Sequence, residues 1–387
     1  MRCWWVAVAW CLGAWAGAPV PVGTFAVPGQ AHTALYLACD DGVFASVMVK
    51  ETAEPGQYAL VRWQPDGTVA WRKPMPMAVQ LVRAGGVLAL AYDDGSLEAQ
   101  RGLLMVDAAT GKVLAETSLD GRPYGLSYYP RERLFITLLY PQHRLRTLTG
   151  AWMEARAFTP EGREAWRWKI DATELAPGCM DGRRLIVCAG LPGNPRVTRL
   201  DPATGGVVWQ RTWPDARQGA PIGTAGVVCA IAKWSMPGSL VWLDPDTGAM
   251  APLLTPDGAP FRWLRYCTTA DRLYAAATPE MMQQVELHAL ALPEGRPAWT
   301  NTFRHFAGAV TDPVVWGDRV AVLYRTLVQD PGQRVQDIRL QIFRTDGALL
   351  ATVGPNLLLD DSKPMQVAGD RLYVAQRDGV VALAWKE

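Results

Sequence analysis

Residues Leu200 to Trp209 have the sequence LDPATGGVVW, which has the features of a β-hairpin. Asp201 can accept hydrogen bonds from nearby backbone amides, Pro202 presets φ, and Gly205 supplies a positive φ. The residues Val207 to Trp209 that follow are β-branched or aromatic, and such residues favour extended backbone. The stretch therefore predicts a tight turn followed by a returning strand.

Six further turns repeat this pattern along the chain. The closest copies are VDAATG at Val106–Gly111 and LDPDTG at Leu243–Gly248, in which Asp107 and Asp244 open the turn. The seven turn glycines lie 43 to 52 residues apart, at Gly67, Gly111, Gly162, Gly205, Gly248, Gly295 and Gly347. A period in this range is typical of the blades of a β-propeller.

Tryptophan stands four residues after four of these glycines, at Trp71, Trp166, Trp209 and Trp299. We expect each of these side chains to leave the outer strand of its blade and pack onto the next blade, which buries a large aromatic area. The other three units have Ala115, Pro252 and Ala351 at this position. The tryptophans and the turn residues are therefore assigned to a structural repeat.

Short apolar strands after polar turns form a second pattern, for example at Asp271–Ala275 and Asp370–Val374. Together the two patterns supply about four strands per period. Met365–Trp385 has inner strands but no outer hairpin, and Val22–Val27 can donate the missing strand. The sequence thus predicts an all-β fold, a single propeller of four-stranded antiparallel blades closed by pairing of its N- and C-terminal strands. Eight blades are favoured; seven result if the C-terminal segment joins blade one.

The amino terminus predicts an export signal. Met1-Arg2 is positively charged, Cys3–Leu12 is apolar, and Ala14–Ala16 fits a small-x-small cleavage site. We therefore assign residues 1–16 (to about 18) to a signal peptide and 19–387 to the propeller. An uncleaved apolar anchor is the alternative. We expect the protein in the periplasm or on the outer surface of a bacterium, with no transmembrane segment after cleavage.

Composition excludes one class of partner. The 387-residue chain carries 38 Lys and Arg against 37 Asp and Glu, so no strongly basic surface indicates nucleic-acid binding.

Five cysteines follow the signal, an odd number that cannot all pair within the chain. Cys39, Cys188 and Cys229 lie in apolar strands and are expected to be small buried hydrophobes. A Cys179–Cys188 disulfide is the alternative.

Three stretches give the chain a resemblance to a known family: DPATGGVVW at Asp201–Trp209, DAATGKVL at Asp107–Leu114 and RLYVAQRDGVVAL at Arg371–Leu383. They resemble the PQQ-like propeller repeat, and the resemblance extends over Leu35–Leu383. This resemblance implies the fold but not one activity. The repeat occurs in quinoprotein dehydrogenases and in non-enzymatic propellers such as the lipoprotein of the outer-membrane β-barrel assembly machinery.

The residues that the enzymatic branch of this family uses are not matched here. Those enzymes carry adjacent cysteines near the quinone, an Asp base and Glu, Asn and Asp ligands for calcium. No two cysteines are adjacent in this chain, and its asparagines are Asn194, Asn301 and Asn356. His-x-x-x-His, Gly-x-Ser-x-Gly and Gly-Lys-Ser/Thr motifs are also absent from the sequence. We therefore predict no catalytic, cofactor-binding or metal-binding residues; PQQ with calcium is the alternative.

Three acidic pairs could be taken for calcium ligands, namely Asp40-Asp41, Asp93-Asp94 and Asp360-Asp361. Asp and Asn are favoured in turns because their side chains accept hydrogen bonds from nearby backbone amides. We therefore interpret all three pairs as turn residues and expect the first two in matching turns of successive blades.

Binding is expected at the rim. The longest insertion, Pro141–Trp152, carries His143, Arg144 and Arg146, and exposed insertions on rigid scaffolds often carry binding function. A solvated polar loop is the alternative, and Leu327–Gln336 is a second insertion of the same kind.

The sequence as a whole favours an exported, monomeric, non-enzymatic scaffold that binds a protein or an envelope polymer. It would do so through rim loops or a channel mouth. The alternative is a PQQ- and calcium-dependent quinoprotein dehydrogenase or another enzyme with a site at the channel mouth. Three or more carboxylate, Asn or His side chains at one mouth would favour the enzyme. An apolar or Arg-rich rim patch would favour the scaffold.

Overall fold

A computed structural model describes residues 17–26, 30–49, 58–93, 100–141, 152–172, 174–191, 194–212, 216–222, 226–231, 239–252, 261–279, 284–292, 294–304, 306–330, 333–354, 359–376 and 379–386. Strands account for most of these residues. The predicted signal peptide lies outside them. Within them, no helix is long and apolar enough to cross a membrane.

The strands follow one another in chain order. They are β1 (Ala18–Phe25), β2 (Gln30–Cys39), β3 (Gly42–Val49), β4 (Tyr58–Trp63), β5 (Val69–Pro74), β6 (Ala78–Ala84), β7 (Val87–Asp93), β8 (Arg101–Asp107), β9 (Val113–Ser118), β10 (Arg122–Tyr129), β11 (Leu134–Tyr140), β12 (Trp152–Phe158), β13 (Glu164–Asp171), β14 (Glu174–Met180), β15 (Leu185–Leu191), β16 (Asn194–Leu200), β17 (Val207–Thr212), β18 (Ala216–Ile222), β19 (Gly226–Ile231), β20 (Ser239–Leu243), β21 (Met250–Pro252), β22 (Phe261–Thr268), β23 (Arg272–Pro279), β24 (Gln284–Ala291), β25 (Arg296–Arg304), β26 (Phe306–Val310), β27 (Val314–Trp316), β28 (Arg319–Asp330), β29 (Gln333–Arg344), β30 (Leu349–Val353), β31 (Gln366–Ala368), β32 (Arg371–Gln376) and β33 (Gly379–Lys386).

These strands form eight antiparallel sheets, which we call blades one to eight. Blades one to six are β2–β5, β6–β9, β10–β13, β14–β17, β18–β21 and β22–β25; blade seven is β26–β30, and blade eight is β31–β33 with β1. The first strands of blades one to six contact one another in sequence, and β31 of blade eight contacts β2 of blade one. The sheets therefore stand around a closed ring with their first strands innermost, and the predicted fold class is confirmed.

The ring closes through the two ends of the described chain. β1 pairs with β33 from Ala18 opposite Lys386 to Phe25 opposite Val380, so the N-terminal strand becomes the outermost strand of blade eight. Phe25 is fully buried there, with its ring centroid 6.2 Å from that of Trp63 in blade one. The closure predicted from the unpaired terminal segments is therefore present, and it removes the sheet edges that an open array would expose.

The tryptophans of the repeat contact the turn of the next blade. Each indole Nε1 donates a hydrogen bond to a turn carbonyl: Trp71 to Ala108 at 3.1 Å, Trp166 to Pro202 at 2.9 Å, Trp209 to Pro245 at 2.7 Å and Trp299 to Thr345 at 2.9 Å. The ring lies over the turn glycine. At Gly205, for example, a Cβ would stand 2.6 Å from the Trp166 ring, and φ is +71°. Close packing and positive φ both require glycine at this position.

Two interfaces without the repeat tryptophan use other contacts. Between blades two and three, Gly162 faces Ala115, and the Thr117 hydroxyl donates to the Gly162 carbonyl at 3.0 Å. Between blades seven and eight, the indole of Trp316 donates to the Asp370 carbonyl at 2.8 Å. Trp316 lies on the inner strand β27 and not on the outer strand. A turn carbonyl is thus contacted in each case by a different side chain.

The acidic pairs do not occupy matching turns, and that prediction was wrong. Asp40 and Asp41 form the turn between β2 and β3, whereas Asp93 ends β7, the second strand of its blade. Gly85-Gly86 forms the equivalent first turn of blade two. The error arose because an Asp-Asp-Gly triplet suits any tight turn and does not mark which pair of strands the turn connects.

The insertion at Leu327–Gln336 is a hairpin extension and not a loop. β28 and β29 pair continuously from Arg319 opposite Arg344 to Asp330 opposite Gln333. The inner strand β26 pairs with β28 only as far as Thr326. Four further residue pairs therefore extend beyond the blade, about 13 Å at the usual rise of a strand.

Cys179 and Cys188 are both free thiols, so the alternative disulfide is not formed. Burial raises the pKa of each thiol to about 12, which fits the interpretation of Cys188 as a small buried hydrophobe. Cys39 is only partly buried, and the side chain of Cys229 lies outside the described residues.

Replacing Trp209 tests the inter-blade contact. We expect Trp209→Ala to lower the free energy of unfolding by about 3–5 kcal/mol, since the side chain is 93% buried and its removal leaves a cavity. Trp209→Phe should cost less, because it keeps most of the buried area. Urea unfolding followed by fluorescence measures both. Val207→Ala on the same strand, 52% exposed, is the control and should change stability by no more than about 0.5 kcal/mol. Equal losses for Trp209→Ala and Val207→Ala would contradict the contact.

Candidate functional site

The structure separates the two groups of residues that the sequence singled out. Trp71, Trp166, Trp209 and Trp299, with the turn residues Asp107, Gly111, Asp201, Gly205, Asp244 and Gly248, all lie at blade-to-blade contacts or in the turns that form them. They support the ring and do not converge on one site. His143, Arg144 and Arg146 lie outside the described residues. The strands on either side of them end and begin at Tyr140 and Trp152.

Around these two strand ends the structure brings together a cluster that we call the blade-three mouth: Asp93, Arg101, Arg122, Tyr124, Tyr140 and Trp152. All six lie at or within two residues of a strand end on the same side of the ring. Arg122 begins the inner strand β10 directly opposite Tyr140, and Asp93 ends β7 opposite Arg101. The cluster therefore joins blades two and three next to the central channel.

Asp93 is held between two guanidinium groups. Its Oδ2 accepts a hydrogen bond from Arg122 Nε at 2.5 Å, and its Oδ1 lies 3.4 Å from Arg101 Nε. The side chains of Asp93 and Arg101 are 5% and 6% exposed, whereas that of Arg122 is 31% exposed. The hydrogen bond to Asp93 raises the pKa of Arg122, so this edge of the mouth keeps its positive charges at any physiological pH.

Aromatic side chains form the other part of the mouth. The rings of Tyr124 and Tyr140 meet edge to face, with centroids 5.7 Å apart and planes at 89°. The Lys169 ammonium lies 4.6 Å from the ring centroid of Trp152, a cation–π distance. All three aromatic residues are half-buried. Their exposed parts offer a surface that an apolar or aromatic group of a partner can contact.

A buried ion network supports the mouth from behind. Arg156 on β12 binds Glu154 on the same strand and reaches Asp120 Oδ2 at 2.6 Å in the connection between blades two and three. Arg156 and Glu154 are 3% and 2% exposed. This is the interface where Ala115 replaces the repeat tryptophan. Charged contacts therefore join these two blades and fix the position of β12, which begins at Trp152.

The acidic group of the mouth is engaged in ion pairs. Asp93 contacts one arginine with each of its carboxylate oxygens. Within the ranges that the structure describes, no three His, Cys, Asp or Glu side chains lie close enough together to hold a metal ion.

The two asparagines on described strands, Asn194 and Asn301, lie in different blades. Asn301 lies on the outer strand β25 and donates to the Gly347 carbonyl at 2.8 Å, away from the channel. Asn194 begins the third strand of blade four, and Asn356 lies outside the described residues.

Sequence reasoning found the insertion between β11 and β12 but missed the residues that cluster around the ends of these strands. Asp93 was interpreted as a turn residue, and Arg101, Arg122 and Tyr124 carried no motif. Pairing across two blades brings them together, and only the flanking aromatics Tyr140 and Trp152 were a usable local signal.

Comparison with protein families supports the predicted resemblance. Residues 154–251 match the family model described as outer membrane protein assembly factor BamB, a model of the PQQ-like repeat. The matched segment runs from β12 of blade three to β21 of blade five. The chain is thus a propeller, and its similarity to this family covers part of the ring, from blade three to blade five. Comparison with curated protein sequences gives no match.

Similar solved structures are also propellers. The WD40 domain of SCAP from fission yeast superposes with a TM-score of 0.57 at 9% identity, covering 96% of this chain and 95% of that one. The quinohemoprotein alcohol dehydrogenase from Comamonas testosteroni gives 0.55 at 11% identity, covering 94% and 76%. The alcohol dehydrogenase ADHIIG from Pseudomonas putida HK5 gives 0.53 at 12% identity, covering 95% and 76%. At these identities the likeness extends to the fold alone.

Asp93 provides a test of the mouth's electrostatics. We expect Asp93→Asn to lower the free energy of unfolding by roughly 3 kcal/mol, because it leaves buried positive charge without its counter-ion. Combining it with Arg122→Gln should cost less than the sum of the single losses, since the two groups interact directly. A urea-unfolding double-mutant cycle measures this coupling. The exposed Asp40→Asn is the control; strictly additive losses for Asp93 and Arg122 would contradict the ion pair.

A second buried pair makes stability depend on pH. His288 in blade six is 3% exposed, with Nε2 3.2 Å from Glu286 Oε2 and Nδ1 3.0 Å from Thr300 Oγ1. Burial lowers the pKa of His288, although Glu286 opposes the shift. The unfolded chain, with a histidine pKa of about 6.5, therefore takes up this proton first as pH falls.

We expect this histidine to destabilise the fold below neutral pH. Its contribution is fully present above about pH 6.5 and decreases as pH falls, by at most about 1.4 kcal/mol per pH unit. Urea unfolding at pH 7.5 and 5.5 measures the loss, and His288→Gln should reduce the difference between the two pH values. An unchanged pH dependence in the variant would assign the effect to other groups.

Proposed function

We propose that this protein is an exported, non-enzymatic scaffold of the bacterial envelope that acts in outer-membrane protein assembly. It would bind a protein partner through the blade-three mouth. The observation that carries the proposal is the match of residues 154–251 to an outer membrane protein assembly factor. This segment begins two residues after Trp152 and includes the buried Glu154 and Arg156 that hold the mouth in place.

The properties of the mouth support a protein ligand. Half-buried aromatic residues beside arginine are the composition most often found at the energetic centres of protein interfaces. Tyr140, Trp152 and Arg122 meet this description, and the ion network beneath them keeps their backbone fixed before binding. Such preorganisation reduces the conformational entropy that is lost when a partner binds. The predicted loop residues His143, Arg144 and Arg146 would add contacts above this platform.

Gene deletion in the source bacterium tests the function. We expect loss of the protein to lower the amounts of β-barrel proteins in purified outer membranes, measured by quantitative mass spectrometry. The wild-type gene should restore them, and its product should be found in the periplasm with Gly17 at its amino terminus. The double variant Tyr140→Ala/Trp152→Ala should restore much less, although it is produced in equal amount.

The matched control replaces exposed apolar residues away from the mouth. Val113→Ala/Leu114→Ala changes side chains that are 43% and 49% exposed on the outer strand β9, and it should restore outer-membrane proteins fully. Unchanged outer membranes after deletion would refute the assembly function. A saturable increase in melting temperature on titration with PQQ and calcium would instead favour the quinoprotein alternative.

A further inference from the structure

Blade seven differs from the other blades in how far the second strand is covered on its inner side. In blades one, three, five and six the innermost strand pairs with the last residue of the second strand, and in blades two, four and eight pairing on that side stops no more than one residue short of it. In blade seven the last such pair is Phe306 opposite Thr326, although β28 continues to Asp330. Among the described residues, Leu327–Asp330 therefore have a strand neighbour on one side only, namely β29. We call this extension, with its partner residues Gln333–Gln336, the blade-seven arm.

Backbone groups at the uncovered edge of the arm point toward the inner side of the blade. The Thr311 amide donates to the Leu323 carbonyl at 2.9 Å, so Leu323 directs its carbonyl toward the inner side. Every second residue of an antiparallel strand directs both its N–H and its C=O to the same side. Because β28 pairs with β29 without a bulge, Leu327 and Gln329 repeat the orientation of Leu323. Their N–H and C=O groups therefore face the inner side, which β26 does not cover at this height.

Ion pairs hold the base of the arm. Arg325, two residues before the arm, donates to both carboxylate oxygens of Asp361 at 3.0 and 2.7 Å, and the Asp361 side chain is 3% exposed. On the other strand of the hairpin, Arg339 Nε donates to Asp337 Oδ2 at 3.1 Å, and Asp337 is also buried. The arm therefore extends from a base that is fixed by charged contacts on both of its strands.

The arm lacks the devices that usually protect the edge of a sheet. Natural edge strands are kept from pairing with other chains by lysine, by proline, by bulges or by being very short. Leu327–Asp330 has the sequence LVQD, contains neither lysine nor proline, and pairs with β29 without a bulge. An uncovered backbone edge of this kind is complemented by another extended backbone, which supplies donors and acceptors at the same spacing.

We propose that the blade-seven arm binds an extended segment of an unfolded partner polypeptide by strand addition. The added strand lies in line with β26 and pairs with Leu327 and Gln329. An unfolded chain fits this edge because its own backbone groups are not yet paired within a sheet. Main-chain hydrogen bonds give such an interaction its affinity, so it accepts segments of many sequences.

The arm and the blade-three mouth are separate surfaces. They stand on the same side of the ring, since each lies where the second strand of its blade ends. Binding to the arm requires neither the mouth nor the proposed assembly function.

A fluorescent ten-residue peptide of alternating threonine and valine, with a lysine at each end, is the probe for strand addition. We expect it to bind the full mature chain saturably, as measured by fluorescence anisotropy. Gln329→Pro removes one N–H from the uncovered edge and leaves the bonds to β29 in place, because proline is tolerated where the N–H of an edge strand is not paired. It should weaken binding about fivefold or more, the effect of losing one main-chain hydrogen bond. The matched control Gln329→Ala keeps this N–H and should bind as the wild type does.

A second variant removes the arm. Replacing residues 327–336 with the dipeptide asparagine-glycine joins Thr326 to Asp337, which are already paired, through a two-residue turn, and it should abolish binding. Circular dichroism and thermal unfolding check that each variant is folded. Tyr140→Ala/Trp152→Ala should bind the peptide with unchanged affinity, which separates the arm from the mouth.

Absence of saturable binding to the wild type would overturn the proposal, and so would equal affinities of folded Gln329→Pro and Gln329→Ala. A dimer in sedimentation experiments that Gln329→Pro dissociates, without peptide binding, would assign the edge to a second copy of this chain. That result would also overturn the unfolded polypeptide as the occupant of the arm.

Discussion

The contact between an indole N–H and a turn carbonyl of the next blade is the interaction on which the ring depends. It fixes the angle between neighbouring blades, because the ring of the tryptophan must lie flat over a turn glycine while its nitrogen reaches one carbonyl oxygen. Glycine is needed there on two grounds, positive φ and the lack of room for a Cβ. Four blades donate the indole N–H, and the next blade in each case supplies the receiving turn.

Some blade-to-blade interfaces lack this tryptophan contact, and other side chains join the blades there. Between blades two and three, alanine takes the place of tryptophan, and buried charges join the blades instead. Burying an ion pair costs desolvation free energy, which the attraction between the charges offsets only when their distances and angles are favourable. Such a pair therefore holds the neighbouring residues in one arrangement. The blade-three mouth stands on that network. A regular repeat therefore provides the frame, and the charged contacts between blades two and three support the candidate binding surface.

Several residues had local signals that suited more than one place in the fold. Asp93 lies in an Asp-Asp-Gly triplet like that at Asp40, yet it ends a second strand and binds arginines from its own and the next blade. The insertion at Leu327–Gln336 was expected as a rim loop, but its residues pair as a continuation of two long strands. In both cases a pairing partner decides the structure, and partners distant in sequence leave no local pattern.

The sequence by itself determined the all-β class, the repeat period, the positions of the turns and the closure of the ring by its ends. Turn chemistry and β-branched strands are local features that recur from blade to blade, and a docking tryptophan recurs in four of the repeat units, so each copy reinforces the same interpretation. Only the tertiary structure decided which polar residues meet. Asp93 and Arg122 come together because neighbouring blades place distant strand ends at one rim. The geometry of the ring determines these contacts, and no regular spacing in the sequence predicts them.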